Sequence, residues 1–177
     1  VNKAERNLAD KISKSSEVKE LHKNIKEIFS LENNIKKIEV YDNSHFSGKE
    51  AVGSYIVADE TGFVNNEYRK FNIKEAYSMD DYGMMKEVLT RRLNKCEKNR
   101  LPDLIIIDGG KGQLSIARSV LKDLEINSVS LLSISKGKMR NSSNEIFYNI
   151  KGEKIVLNKN NPLFYYLQRL RDEAHRF

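Results

Sequence analysis

Residues 101–124 read LPDLIIIDGGKGQLSIARSVLKDL. Leu104 to Ile107 form an apolar run that ends in Asp108, and Gly109-Gly110-Lys111-Gly112 follow. Leu114, Ala117, Val120, Leu121 and Leu124 then fall on one helical face. The stretch predicts a buried strand, a glycine turn and a covering helix. A carboxylate at the end of a dry strand is costly unless something uses or pairs its charge. In open α/β sheets, ligands gather at the carboxyl ends of such strands. Asp108 is therefore the first candidate functional residue.

Outward from this stretch, residues 3–30 carry a polar helical pattern, with Leu8 and Ile12, then Val18, Leu21, Ile25 and Ile28 at helical spacing. One or two helices are expected there, packing on a sheet, with Ser15-Ser16 as a possible cap between them. His22 lies among lysines and glutamates and reads as a solvated residue. Residues 36–42, 50–58 and 67–73 read as three strands joined by short links, an antiparallel meander. Ser78 is the expected N-cap of the next helix, whose stripe is Tyr82, Met85, Leu89 and Leu93, widened by Val88 and Cys96. Residues 128–134 form another buried strand, followed by the basic loop Ser135-Lys136-Gly137-Lys138-Met139-Arg140. A hairpin is expected around Lys151-Gly152. The last helix carries the core stripe Leu163, Leu167, Leu170, Ala174 and Phe177, with Gln168, Arg171 and His175 one face over.

This order of elements predicts an α/β fold resembling the ribonuclease H-like arrangement. Its mixed five-stranded sheet has three antiparallel strands, then parallel strands, and is flanked by helices. The first and fourth strands lie side by side in such a sheet, bringing Asp42 next to Asp108. Residues 1–34 are expected to form an N-terminal helical segment packing on a domain of residues 35–177.

The chain has 177 residues, 32% charged and 39% hydrophobic, enough for one domain with a core. A net charge of +6 and a pI near 9.2 suit an anionic partner such as nucleic acid. The single cysteine, Cys96, excludes an internal disulfide and a cysteine-based zinc cluster, and is expected to pack as a small hydrophobe on a helix. No apolar run reaches membrane-spanning length and no signal peptide is evident, which makes the cytoplasm the expected location. Val1 at the start and a helical pattern running to Phe177 suggest a piece of a longer chain.

Two carboxylates at adjacent strand ends repel each other, and a divalent cation relieves that repulsion. Such a cation activates water and clamps a phosphate in line. His175 on the last helix is the best placed of the histidines to complete the set, and Asp81, in the first turn of its helix, is a further candidate. Each has a plainer reading: Asp42 as a turn residue, Asp81 as a helix N-terminal charge, His175 as a partly buried structural residue. His45 is either a ligand or a residue steadying the turn after Asp42. The glycines before the third helix resemble a phosphate cradle, but the loop is too short for a P-loop and lacks its Lys-Ser/Thr pair. A tight turn is the favoured reading, with Lys111 free to meet a phosphate.

Tyr41-Asp42-Asn43-Ser44-His45, Glu67-Tyr68-Arg69-Lys70-Phe71-Asn72-Ile73, Asp80-Asp81-Tyr82, Asp108-Gly109-Gly110-Lys111-Gly112-Gln113 and Arg171-Asp172-Glu173-Ala174-His175-Arg176-Phe177 occur in that order. Together they resemble the C-terminal endonuclease half of the UvrC family, the excinuclease subunits of bacterial nucleotide excision repair. The resemblance covers about residues 35–177. It implies a ribonuclease H-like endonuclease that cuts the damaged strand on the 5′ side of a lesion in double-stranded DNA, in a complex with UvrB. Carried over by position, it makes Asp42, Asp108 and His175 catalytic and metal-binding, Asp81 a further functional carboxylate, and Mg2+ or Mn2+ the cofactor. His175 then either ligates the metal or moves a proton. Arg69, Lys111, Lys136, Lys138, Arg140 and Arg171 are candidates for the DNA backbone, through contacts insensitive to sequence and weakened by salt. Asn43 stands where the family commonly has isoleucine, which alters packing or a hydrogen bond. The GIY-YIG nuclease domain, the UvrB-binding segment and the helix-hairpin-helix motifs of the family's full protein are not in this sequence. The rival reading is a non-catalytic module that binds DNA or a partner protein on the same fold.

Overall fold

A computed structural model describes residues 2–46, 50–74, 80–137 and 145–177. The first helix, α1 (Lys3–Ile28), starts at a capping box: the Asn2 side chain accepts from the Ala4 amide while Glu5 reaches back to the Asn2 amide. It runs unbroken through Ser15-Ser16, so no second cap forms there. Its first half is exposed, including Leu8 and Ile12, whereas its last turns bury His22 and Ile25. His22 is thus a core residue rather than a solvated one. Its Nδ1 lies 3.2 Å from the Ile35 carbonyl and its Nε2 2.6 Å from the Tyr166 hydroxyl. Burial lowers its pKa below the ordinary 6.5.

The long antiparallel pair β1 (Ile38–Phe46) and β2 (Glu50–Asp59) follows. Two short strands, β3 (Gly62–Phe63) and β4 (Arg69–Asn72), both add to the free edge of β2. Helix α2 (Asp81–Leu93) is capped by the Asp80 carboxylate, which accepts from the Gly83 amide; Ser78 lies outside the described residues. The core face of α2 is Met84, Met85, Val88, Leu89 and Leu93. Tyr82 is exposed, and Cys96 lies beyond the helix, where Arg92 Nη1 meets its sulfur at 3.0 Å. Then come β5 (Leu104–Asp108), α3 (Lys111–Asp123), β6 (Ser130–Lys136), the hairpin β7 (Glu145–Asn149) and β8 (Lys154–Ile155), and α4 (Pro162–Arg176). Asn161 caps α4, with Pro162 in its first turn.

The sheet runs β3-β2-β1-β5-β6-β7-β8, with β4 also on β2: eight strands among the described residues. The five expected strands are all present, with β1 parallel to β5 and β5 parallel to β6. The sheet is wider than five because β3 adds to β2 and because the hairpin continues it, β7 pairing antiparallel with β6. Leu104 to Ile107 are fully buried, as a central strand covered on both faces requires.

Side chains alternate across β1. Glu39 and Tyr41 face α2, where Arg92 Nη2 meets Glu39 Oε2 at 2.9 Å and the Tyr41 hydroxyl donates to Glu39 Oε1 at 2.6 Å. Asp42 faces the other way, towards α4. The β1–β5 register is set at the opposite end of the strands by Asp103. Its Oδ2 accepts the amides of Lys36 and Lys37, both at 2.9 Å, and its carbonyl accepts from Ser130. From there Ile38 pairs with Leu104 and Tyr41 with Ile107, so the next step on each strand is an aspartate. No helix among the described residues is long and apolar enough to cross a membrane.

Candidate metal centre

Asp42 and Asp108 leave the sheet side by side on the face covered by α4. Along α4, Leu163, Leu167, Leu170 and Ala174 are buried in the core. That stripe turns Arg171 and His175, one helical turn apart, onto the strand ends. His175 Nδ1 lies 3.2 Å from Asp42 Oδ2 and 4.0 Å from Asp108 Oδ2. One ligand atom from each of Asp42, Asp108 and His175 falls within 4.8 Å of the others. The two carboxylates are nearly buried, while the imidazole is 74% exposed.

Burial is the main cause that raises the pKa of Asp42, followed by the charge of Asp108; His175 opposes both. Burial likewise raises Asp108, opposed by Arg171, His175 and Lys136. Two carboxylates held in this state are a site that a cation relieves. Hard oxygen donors with one imidazole suit Mg2+ or Mn2+ rather than a thiophilic ion. The residues present therefore fit the cation the family resemblance implies.

The remaining candidates are distributed unevenly. Asp81 is exposed in the first turn of α2 and is not in the three-residue group. Lys111 is exposed at the start of α3, 5.3 Å from the centre of the Tyr148 ring, and Lys136 is exposed at the end of β6. Arg69 is exposed, and its Nη1 donates to the carbonyls of Asn66 and Tyr68. Arg171 points inwards: Nε lies 3.3 Å from Asp108 Oδ1 and Nη1 lies 2.7 Å from Glu145 Oε1. Lys138 and Arg140 lie outside the described residues, as does the His45 side chain. Asn43 faces away from the centre against Gly53, and its amide makes no hydrogen bond among the described residues.

Gly109 and Gly110 make the tight turn from β5 into α3 without left-handed backbone; the positive-φ glycines among the described residues are Gly62 and Gly152. Gly109 and Gly112 also make room. A Cβ on Gly109 would meet the Gln113 side chain at 2.6 Å, and one on Gly112 would meet the Tyr82 hydroxyl at 2.2 Å.

The site also uses residues that the sequence reading missed. Glu145 is one. Another is Tyr68, whose hydroxyl donates to Glu173 Oε2 at 3.0 Å and whose ring meets the Phe177 ring edge-on at 5.1 Å. Lys70 Nζ sits 4.6 Å from the centre of that same Phe177 ring. Residues 173 and 177 flank His175, so the end of α4 is held down on both sides of the histidine. Tyr68 lies within a stretch that carried the family resemblance, which was the one available signal.

The sequence profile described as the UvrC RNAse H endonuclease domain matches residues 26–177. The UvrABC system protein C of Wolbachia pipientis wMel is 48% identical over 173 residues, 98% of this chain and 28% of that protein. That of Paramagnetospirillum magneticum AMB-1 is 45% identical over 179 residues, covering 96% and 29%. The chain thus spans under a third of the length of these curated relatives. Among solved structures, Ciona intestinalis endonuclease V in complex with an inosine-containing 23mer DNA aligns with a TM-score of 0.45 at 19% identity, over 78% of this chain and 60% of that one. Aquifex aeolicus Argonaute aligns at 0.44 and 13% identity, over 77% and 24%. With the profile covering residues 26–177 and curated relatives nearly half identical across almost the whole chain, the protein belongs to the UvrC ribonuclease H endonuclease domain family.

Proposed function

We propose that the chain hydrolyses a DNA phosphodiester with the help of a divalent cation, making the 5′ incision beside a lesion within a UvrB–DNA complex. The observation that carries this reading is the convergence of Asp42, Asp108 and His175 at the ends of adjacent parallel strands. Asp42 and Asp108 hold Mg2+ or Mn2+. Such an ion, when bound, would polarise the phosphodiester and acidify an attacking water. His175 would complete the ligand set through Nδ1, which lies 3.2 Å from Asp42 Oδ2 and 4.0 Å from Asp108 Oδ2. Lys111, Lys136, Arg69, Lys138 and Arg140 meet the DNA backbone without reading sequence. Asp81 is a further functional carboxylate. Residues 1–34 act as a helical segment docked on the catalytic domain of 35–177, which the burial of Ile25 and Phe29 supports.

Asp108→Asn is expected to abolish nicking of a lesion-bearing duplex loaded with UvrB while leaving the thermal transition intact. Mn2+ should raise the melting temperature of the wild type, and Asp42→Asn should remove that shift. Nicking by Asp108→Asn at the wild-type rate would falsify the assignment. A non-catalytic module would show neither the nicking nor the shift.

A further inference from the structure

Arg171 is placed unusually for a residue of a DNA-binding enzyme. Its side chain is only 10% exposed, and it lies between two carboxylates that are themselves 13% and 5% exposed, Asp108 and Glu145. A guanidinium buried in this way carries a large desolvation penalty, offset only by well-made contacts on more than one side. Those contacts divide Asp108 into two. Oδ1 faces Arg171 Nε at 3.3 Å, and Oδ2 faces His175 Nδ1 at 4.0 Å. Arg171 and His175 are one turn apart on α4, so a single helix addresses both oxygens of the same carboxylate. Glu145, at the start of β7, fixes the far side of the guanidinium through Oε1 at 2.7 Å. Its Oε2 is buried and makes no hydrogen bond among the described residues. Charge is consistent with this division of labour. Asp42, Asp108 and Glu145 against Arg171 leave two net negative charges when all are ionised, matching one divalent cation.

We propose that Arg171, anchored by Glu145, is the positioning residue of this centre: it holds Asp108 by Oδ1 and presents Oδ2 to the cation shared with Asp42 and His175. Arginine is required because two separate nitrogens must reach two separate carboxylates, and a lysine ammonium offers a point charge on a flexible stem. The inference rests on the reading of Asp42, Asp108 and His175 as a cation site and adds the element that orients it.

The test is a calorimetric titration of the chain with MnCl2, with melting temperatures recorded in EDTA as a fold control. Arg171→Lys keeps the charge and loses the fork; its Mn2+ binding is expected to weaken about tenfold, the usual size for a residue supporting a metal ligand. Glu145→Gln, which frees the guanidinium while preserving volume, should weaken binding in the same direction. A folded Arg171→Lys that binds Mn2+ within about twofold of wild type overturns the proposal. Should that variant lack a cooperative transition, Glu145→Gln decides alone: wild-type affinity overturns the proposal and weakened affinity supports it. Asp108→Asn separates the two levels. If it binds Mn2+ like wild type, the cation site itself is wrong; if it loses binding while Arg171→Lys and Glu145→Gln keep it, only the positioning role falls.

Discussion

Tyr68→Phe isolates the clasp at the end of α4. The substitution keeps the ring against Phe177 and removes one hydroxyl, which donates at 3.0 Å to a carboxylate that is 13% exposed. A hydrogen bond to a charged acceptor contributes about 1.5–3 kcal/mol net. Glu173 keeps Arg176 as a second partner, so the low end applies, ~1.5 kcal/mol. That loosens docking of the last turn about tenfold. If the loss is felt globally, the melting temperature of a domain of this size falls by about 3–6 °C. The decisive measurement is amide hydrogen exchange at residues 173–177, where the Phe177 amide bonds to the Glu173 carbonyl. Exchange there should quicken while β5 stays protected, and Mn2+ affinity should fall because His175 samples more positions. Unchanged exchange together with wild-type Mn2+ affinity would show that the core stripe alone fixes His175. Tyr68→Ala, which also removes the edge-on ring contact of about 1 kcal/mol, should do more on both counts.

Two glycines make opposite predictions. Gly53→Ala drives a Cβ to 2.2 Å from Val88 Cγ2 inside the core, so unfolding experiments should show a loss of about 2 kcal/mol. Gly112→Ala meets only the tip of the exposed Tyr82, which can swing aside, so helix propensity should make it neutral or up to about 1 kcal/mol stabilising. In EDTA, pH acts on two sites with opposite sign. The lowered pKa of His22 means the unfolded chain takes up protons more readily, so its contribution is complete above 6.5 and declines as pH falls below it. The raised pKa values of Asp42 and Asp108 mean the folded chain holds protons more readily, so acidification relieves this pair and rising pH strains it. Asp42→Asn should therefore raise the metal-free melting temperature at pH 7; a lower one would refute the repulsion.

The chain's local patterns carried the central strand, the crossover order and the α4 stripe, because each follows from periodicity over a few residues. The resemblance of that order to the ribonuclease H-like arrangement, and of the motifs to the UvrC family, then put Asp42, Asp108 and His175 together. Arg171 was placed on the right face but given the wrong surroundings: a helical position has the same angle whether it meets solvent or a buried carboxylate from a distant strand. Glu145 carries no local mark of its role. His22 was misread from its charged neighbours, although it steps by three to Ile25 and by seven to Phe29, both buried. The tight turn expected after Asp108 is there, with only Gly109 and Gly110 between β5 and α3, but local sequence does not reveal that Gln113 and Tyr82 fill the space beside Gly109 and Gly112.

Asp103 touches none of the catalytic candidates, and it lies at the far end of the strand that delivers Asp108, ~16 Å away at the usual rise per residue. Yet it decides which residue of β1 stands opposite which residue of β5. A slip of one residue would turn Asp42 to the α2 side and bring Asn43 to the α4 side. A survey of inactivating substitutions judged by distance from the reaction would file Asp103 among bystanders. Anyone grafting this centre onto another sheet would need to transplant both ends of the strand pair.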